Sequence, residues 1–346
     1  MGKIKKGVAA FLVGAAGLFG LNQLPHACGH TPEEHPQETR VVPETAMVDL
    51  TVELGDYARG RIPNFLLVGN GPTGLLEVTE YNSQENVARL VGALDGFFME
   101  SRFYAGYEED GAEAERNDAE TDEFLAAMLR KPLLAGKQVF ILDYVKGKKI
   151  RHVQELGAAE GYVADGGDRL LDVIPDRRPM HENADDVTRL KQVKNFLVLL
   201  NPAHFKTRES YIAALAATNY DLLIVDLYYD DRPLTREETA RLRRKANGGQ
   251  RLLLSYMSVG EAADYRPYWQ STWKNERPHW LAEPNPAWPG SYKARYWSQE
   301  WHDLLYGSPN AYLDLIMAAG FDGAFLDVMD AWQYFREALI NSAPPS

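Results

Sequence analysis

From Asn64 onward the chain alternates short apolar runs with helix-period segments or long loops, and this alternation limits the folds open to it. The runs are Asn64–Asn70, Leu94–Ser101, Lys137–Val145, Asn195–Asn201, Tyr220–Leu227, Arg251–Met257, Tyr292–Trp297 and Phe321–Asp330. Strands separated by helices pair in parallel through crossovers. Eight such units closing on themselves make a (β/α)8 (TIM) barrel, an α/β fold that the roughly 300 residues available can supply. An open doubly wound sheet is the alternative. It ranks lower because no Gly-rich phosphate loop follows any run.

Local signals place the helices. Met47, Leu50, Leu54 and Tyr57 share one face within Thr45–Arg59, and Val87, Leu90, Val91 and Leu94 share another. Pro132 is expected to end a helix. Thr235 and Glu238 form a capping box, and the helix they open closes at Asn247-Gly248-Gly249. Gly320 caps the helix Ala311–Ala319. Pro175–Asp186, rich in Pro, Arg and Asp, reads as an internal connection.

The first residues read as a targeting signal. Lys3, Lys5 and Lys6 precede an apolar run, Val8–Leu21, that is short for a bilayer span. Residues 1–28 are therefore expected to be a signal peptide, 29–44 a polar tether, and 45–346 a single domain. Export is expected, as a secreted protein or a cell-envelope lipoprotein. Cys28, the only cysteine, excludes an internal disulfide and is the candidate for lipid attachment to the membrane. The net charge of −12 argues against nucleic acid as a partner, because phosphate binding needs a basic face. A monomer is expected.

Five of the runs end in an acid: Glu100, Asp143, Asp226, Glu261 just beyond its run, and Asp327, which Asp330 follows. Barrel active sites form at these strand ends. Carboxylates are costly to bury there unless paired or used. Without His or Cys partners such a ring suits no transition metal, and neither metal nor cofactor is expected. Glycoside hydrolysis does need it, with one protonated acid at the leaving oxygen and one ionised carboxylate at the anomeric carbon. A hard-cation site from the same oxygens is an alternative. All seven tryptophans lie between Trp269 and Trp332, where they could stack on sugar rings or fill the outer core.

Three motifs then carry a resemblance. Ser255-Tyr-Met-Ser-Val-Gly-Glu-Ala-Ala-Asp-Tyr-Arg266, Asn285-Pro-Ala-Trp-Pro-Gly-Ser-Tyr-Lys293 with Tyr296-Trp297, and Gly320-Phe-Asp-Gly-Ala-Phe-Leu-Asp327 resemble signatures of proteins related to glycoside hydrolase family 114. That family is associated with endo-α-1,4-polygalactosaminidase activity on a (β/α)8 barrel. The resemblance implies an α-linked polysaccharide or oligosaccharide substrate, with amino sugars among its candidates. It implies Asp327 and Glu100 as the catalytic pair, with Asp327 the better candidate for nucleophile and Glu100 for acid/base. Asp226, Glu261, Asp330 and Asp143 would orient substrate or tune the pair, and Tyr144, Tyr256, Arg266, Asn70 and Trp297 would contact sugar or support those that do.

In the usual family order the Asp327 strand is the fifth. Here the runs similar to the sixth, seventh and eighth, at Asn64, Leu94 and Gly136, come first, which implies a circular permutation in which strands 6-7-8 precede strands 1-5. Relatives have Pro-Gln-Asn where this chain has Val68-Gly69-Asn70, so a polar contact is expected to be missing from the site. The rival reading is a surface carbohydrate-binding protein that keeps the barrel without turnover.

Overall fold

The computed structural model describes residues 41–106 and 114–342. The expected signal peptide with Cys28, and the tether as far as residue 40, lie outside them.

Eight parallel strands form one sheet: β1 (Leu66–Asn70), β2 (Gly96–Glu100), β3 (Gln138–Asp143), β4 (Val163–Gly166), β5 (Phe196–Leu199), β6 (Leu222–Val225), β7 (Leu252–Ser258) and β8 (Gly323–Asp327). Their hydrogen-bonded order is β4-β3-β2-β1-β8-β7-β6-β5, so the chain's first and last barrel strands are neighbours. The sheet is a nearly closed barrel, open only along the seam between β4 and β5.

Side chains alternate as the strand period demands. Val68, Phe98, Phe140, Val198, Ile224, Leu254 and Phe325 fill the barrel interior. Leu67, Phe97, Ile141, Leu199, Leu223, Leu253 and Leu326 face the helices. Helix α1 (Pro43–Arg59) packs on α2 (Gln84–Ala93) and on the last described helix, labelled α3 (Trp332–Ser342). Arg336 on α3 forms a two-pronged ion pair with Glu44 on α1, its Nε donating to Oε1 over 2.9 Å. The two ends of the described chain thus meet beside the β1–β8 pair.

Seven of the eight expected strands are in the barrel. The eighth expectation, Tyr292–Trp297, is corrected. Ser291–Ala294 pairs antiparallel with Glu261–Ala263 and Leu281–Pro284 in a separate small sheet inserted between β7 and β8. Its aromatic residues give it strand propensity, but it covers the barrel mouth instead of lining the centre. The missing barrel strand is Val163-Ala-Asp-Gly166, a seam edge too short and too polar to read as an apolar run. Four barrel strands therefore precede the seam and four follow it, in place of the expected three and five.

No α-helix joins β4 to β5, only the 3-10 turn Leu190–Gln192. Residues 167–189 run down the seam as a strap. The Leu171 carbonyl accepts from the backbone N–H of Leu200 and Asn201, and Val187 N donates to the Gln250 carbonyl. Buried Leu171 and Val187 plug the gap from inside. The expected connection, Pro175–Asp186, lies within this strap. The capping box at Thr235 forms as expected, with the Thr235 hydroxyl accepting from Glu238 N and the Glu238 carboxylate from Thr235 N. Pro132 does not end its helix, which continues to Leu134.

Candidate active site

β1 lies between β2 and β8, so the last residues of these three strands, Asn70, Glu100 and Asp327, are side by side. All three are at least 95% buried. Nδ2 of Asn70 donates to Glu100 Oε1 over 2.9 Å and to Asp327 Oδ1 over 2.7 Å. Those two bonds cap the separation of the carboxylate oxygens at about 5.6 Å, and the trigonal fork of an amide NH2 puts it near about 5 Å.

The strands on either side add a tyrosine each. Tyr144, following β3, favours the ionised form of Glu100, and Tyr256 of β7 does the same for Asp327. Both rings are inside the barrel. Five neighbouring strands thus contribute Tyr144, Glu100, Asn70, Asp327 and Tyr256 in spatial order.

The backbone turns sharply behind each member of the central trio. Gly71, Ser101 and Val328 follow Asn70, Glu100 and Asp327 with φ of 81°, 54° and 61°. A β-branched residue with positive φ is a genuine outlier, and such strain concentrates at functional sites. The turn at Val328 leads into a 3-10 turn that carries Asp330 back against Gly71.

Burial pushes the Glu100 carboxyl up to about 8, helped by the charge of nearby Asp327. Burial raises Asp327 only to about 6, because Asn70, the Val328 N–H and Tyr256 all favour its ionised form. Asp327 ionises first, so its charge weighs on Glu100. Asp330 is raised to about 7 by burial, against the pull of Lys293. At neutral pH the arrangement holds one neutral and one ionised carboxyl, the division an acid and a nucleophile require.

The other expected residues fall into two groups. Glu261 and Asp330 stand beside the pair. Glu261 is held by Lys293 over 2.5 Å and by Asn285 Nδ2 over 2.8 Å, and its charge raises both Asp327 and Asp330. Asp226 is locked to Arg266 by two bonds of 2.8 and 2.6 Å, and the rings of Tyr228, Tyr256, Tyr265 and Tyr312 surround that guanidinium. Arg266 therefore reaches the pair through the Tyr256 ring.

Asp143 is not brought to the pair. It is one residue out of phase with inward-facing Leu142 and Tyr144, and its oxygens accept from the backbone N–H of Arg102, Phe103 and Tyr104. It fastens the loop behind Glu100. Trp297 packs edge-on against Phe335 and Tyr296. Trp273, Trp280 and Trp301 are buried against one another, with ring centroids 5.1 Å apart from one to the next, so they fill the core of the insertion.

Position 69 also differs from expectation. A Cβ at Gly69 would lie 2.5 Å from Met329 Sδ and 2.9 Å from Leu94 Cδ1, so it points into the helix layer. No polar contact is missing from the site on its account. Sequence reasoning singled out neither Lys293 nor Asn285 as a site residue, although both stand in the quoted Asn285–Lys293 motif.

Comparison with known proteins bears on the second half of the chain. Residues 196–343, from β5 to α3, match the model described as glycoside-hydrolase family GH114. An uncharacterized protein of Methanocaldococcus jannaschii is 32% identical over 158 residues, 45% of this chain and 43% of that one. An uncharacterized protein of Deinococcus radiodurans is 37% identical over 125 residues, 36% and 38% of the two chains. One of Thermotoga maritima is 29% identical over 123 residues, 36% of each. The chain spans about two-fifths of the length of these curated relatives.

Proposed function

We propose that this barrel is a retaining glycoside hydrolase in which Asp327 is the nucleophile and Glu100 the acid/base. The observation that carries the reading is the single amide of Asn70 bonded to both carboxylates. It fixes them near the about 5–5.5 Å of retaining enzymes, short of the about 6.5–9.5 Å that an inverting enzyme needs for its water. Glu100, the more strongly raised acid, protonates the leaving oxygen as Asp327 attacks the anomeric carbon. Water then releases the glycosyl group from Asp327 while Glu100 accepts its proton. The GH114 match over 196–343 includes Asp327 and supports a carbohydrate substrate. We take that substrate to be an α-linked polysaccharide or oligosaccharide, with amino-sugar polymers the first to test. The rival binding protein loses its support, because Gly69 removes nothing from the site.

Permuted strand order belongs to the same reading. The meeting of α1 with α3, the β1–β8 pairing and a seam connection without an α-helix support an ancestral order running from β5 through β8 to β1 and β4. A family match confined to 196–343 is what such an order leaves. A reordered gene, with residues 342 and 41 joined by a short linker and new ends opened in the strap, should then fold and retain activity. We further take the protein to be exported as a single-domain monomer and tethered through a lipid on Cys28, which labelling with a clickable fatty acid would reveal.

The deciding experiment is incubation with a panel of α-linked oligosaccharides, including galactosamine oligomers, followed by NMR of the product anomer. Retention of configuration in the wild type and no product from Glu100→Gln are expected. Inversion would overturn the mechanism, and binding without cleavage across the panel would overturn the activity.

A further inference from the structure

The amide of Asn70 has two hydrogens, and both are spent. One goes to Glu100 and the other to Asp327, over 2.9 and 2.7 Å. It therefore has no hydrogen left to donate to a sugar. Turning the amide over would set its carbonyl oxygen against the ionised Asp327 carboxylate, so the orientation is fixed. The residue is 4% exposed and ends the strand between the two that carry the acids. Left-handed Gly71 follows it, so the chain turns away at once and the amide stays between the strand ends.

We propose that Asn70 is a positioning residue, a two-handed clamp that sets the separation of Glu100 and Asp327. The proposal rests on the catalytic pair named above. The clamp favours the ionised form of both acids. Other groups act on them too: Tyr144 and Asp330 on Glu100, and Tyr256, the Val328 N–H and Glu261 on Asp327, with Lys293 balancing Glu261 and Asp330. Among the described side chains, Asn70 alone is hydrogen-bonded to both acids, so its loss should move both titrations directly.

The test uses Asn70→Ala and the near-isosteric Asn70→Asp in the full-length protein. Carboxyl carbons of Asp and Glu are labelled with 13C and titrated by NMR, alongside kcat and KM on any oligosaccharide the wild type cleaves. In Asn70→Ala both midpoints should rise, kcat should fall by about 10²-fold, as when one stabilising donor is removed, and KM should change little. In Asn70→Asp the midpoints should rise further, because a third carboxyl joins the pair. Unchanged titration of Glu100 and Asp327 in both variants would overturn the proposal, as would a loss confined to KM. Should the wild type cleave nothing, the hydrolase reading fails, while the titration still decides on the clamp.

Discussion

Replacing Glu100 by Gln should abolish turnover and also make the protein more stable, by an amount that grows with pH. In the fold, Glu100 is raised from 4.5 to about 8, chiefly by burial. Below pH 4 the group is protonated in both folded and unfolded chains and costs nothing. As pH rises, the unfolded chain releases its proton first while the folded chain holds it, so stability falls until pH passes about 8. Each unit of displacement is worth about 1.4 kcal/mol. Between pH 5 and pH 8 the wild type should therefore lose on the order of 3 kcal/mol through this group alone. Gln has the same shape, keeps an oxygen for Asn70 and does not titrate, so the variant escapes that loss. Urea unfolding of both proteins at pH 5 and pH 8 measures it. The two should nearly coincide at pH 5, and the variant should lead by about 3 kcal/mol at pH 8. Equal stability at both values, or a variant weaker at pH 8, would refute the claim that Glu100 is held neutral by its burial.

Activity should follow a bell-shaped pH profile. The acidic limb reports ionisation of Asp327 near 6 and the basic limb loss of the Glu100 proton near 8, and an optimum below pH 5 would contradict the assignment. Arg266→Leu should cost about 3–5 kcal/mol in chemical unfolding, since it leaves Asp226 buried without its two-pronged partner. Gly69→Gln, which restores the relatives' residue, should destabilise by about 1–3 kcal/mol through crowding of Met329 and Leu94. Turnover per folded Gly69→Gln molecule should be unchanged, and a gain in turnover would place position 69 in the site after all.

Where the sequence was legible, one physical constraint dominated. Glu100 and Asp327 end apolar strands, where an acid must be paired or used, so both stood out without any contact being known. Asp143 satisfied the same rule and does a different task. Strand phase decides the difference: it is one residue beyond inward-facing Leu142, and no pattern of residue types shows whether a terminal acid turns in or out. Val163-Ala-Asp-Gly166 escaped notice because a seam strand lacks the second neighbour that would demand a full apolar run. Ser291–Ala294 was misplaced for the opposite reason, its aromatic residues serving a mouth-covering sheet with the same local preferences as a barrel strand. The tryptophans showed only that something large is buried in the insertion. That they pack against one another depends on tertiary packing.

The position of the chain ends has a consequence for how the site is made. Asn70 and Glu100 belong to the first part of the chain and Asp327 to the last, and 257 residues separate the partners of the 2.7 Å bond. Those partners meet only when β8 pairs with β1, a contact between the first and last barrel strands. Closing so long a loop costs entropy before any contact offsets it, so this pairing is expected late in folding. Until it forms, Glu100 lacks the neighbouring charge that helps raise its pKa, and Asp327 lacks the amide that lowers its own. The acid–base division is therefore a property of the closed barrel and of neither half alone. A fragment spanning only the GH114-matched residues 196–343 holds Asp327 without Glu100 or Asn70, and so has one carboxylate of a chemistry that needs two.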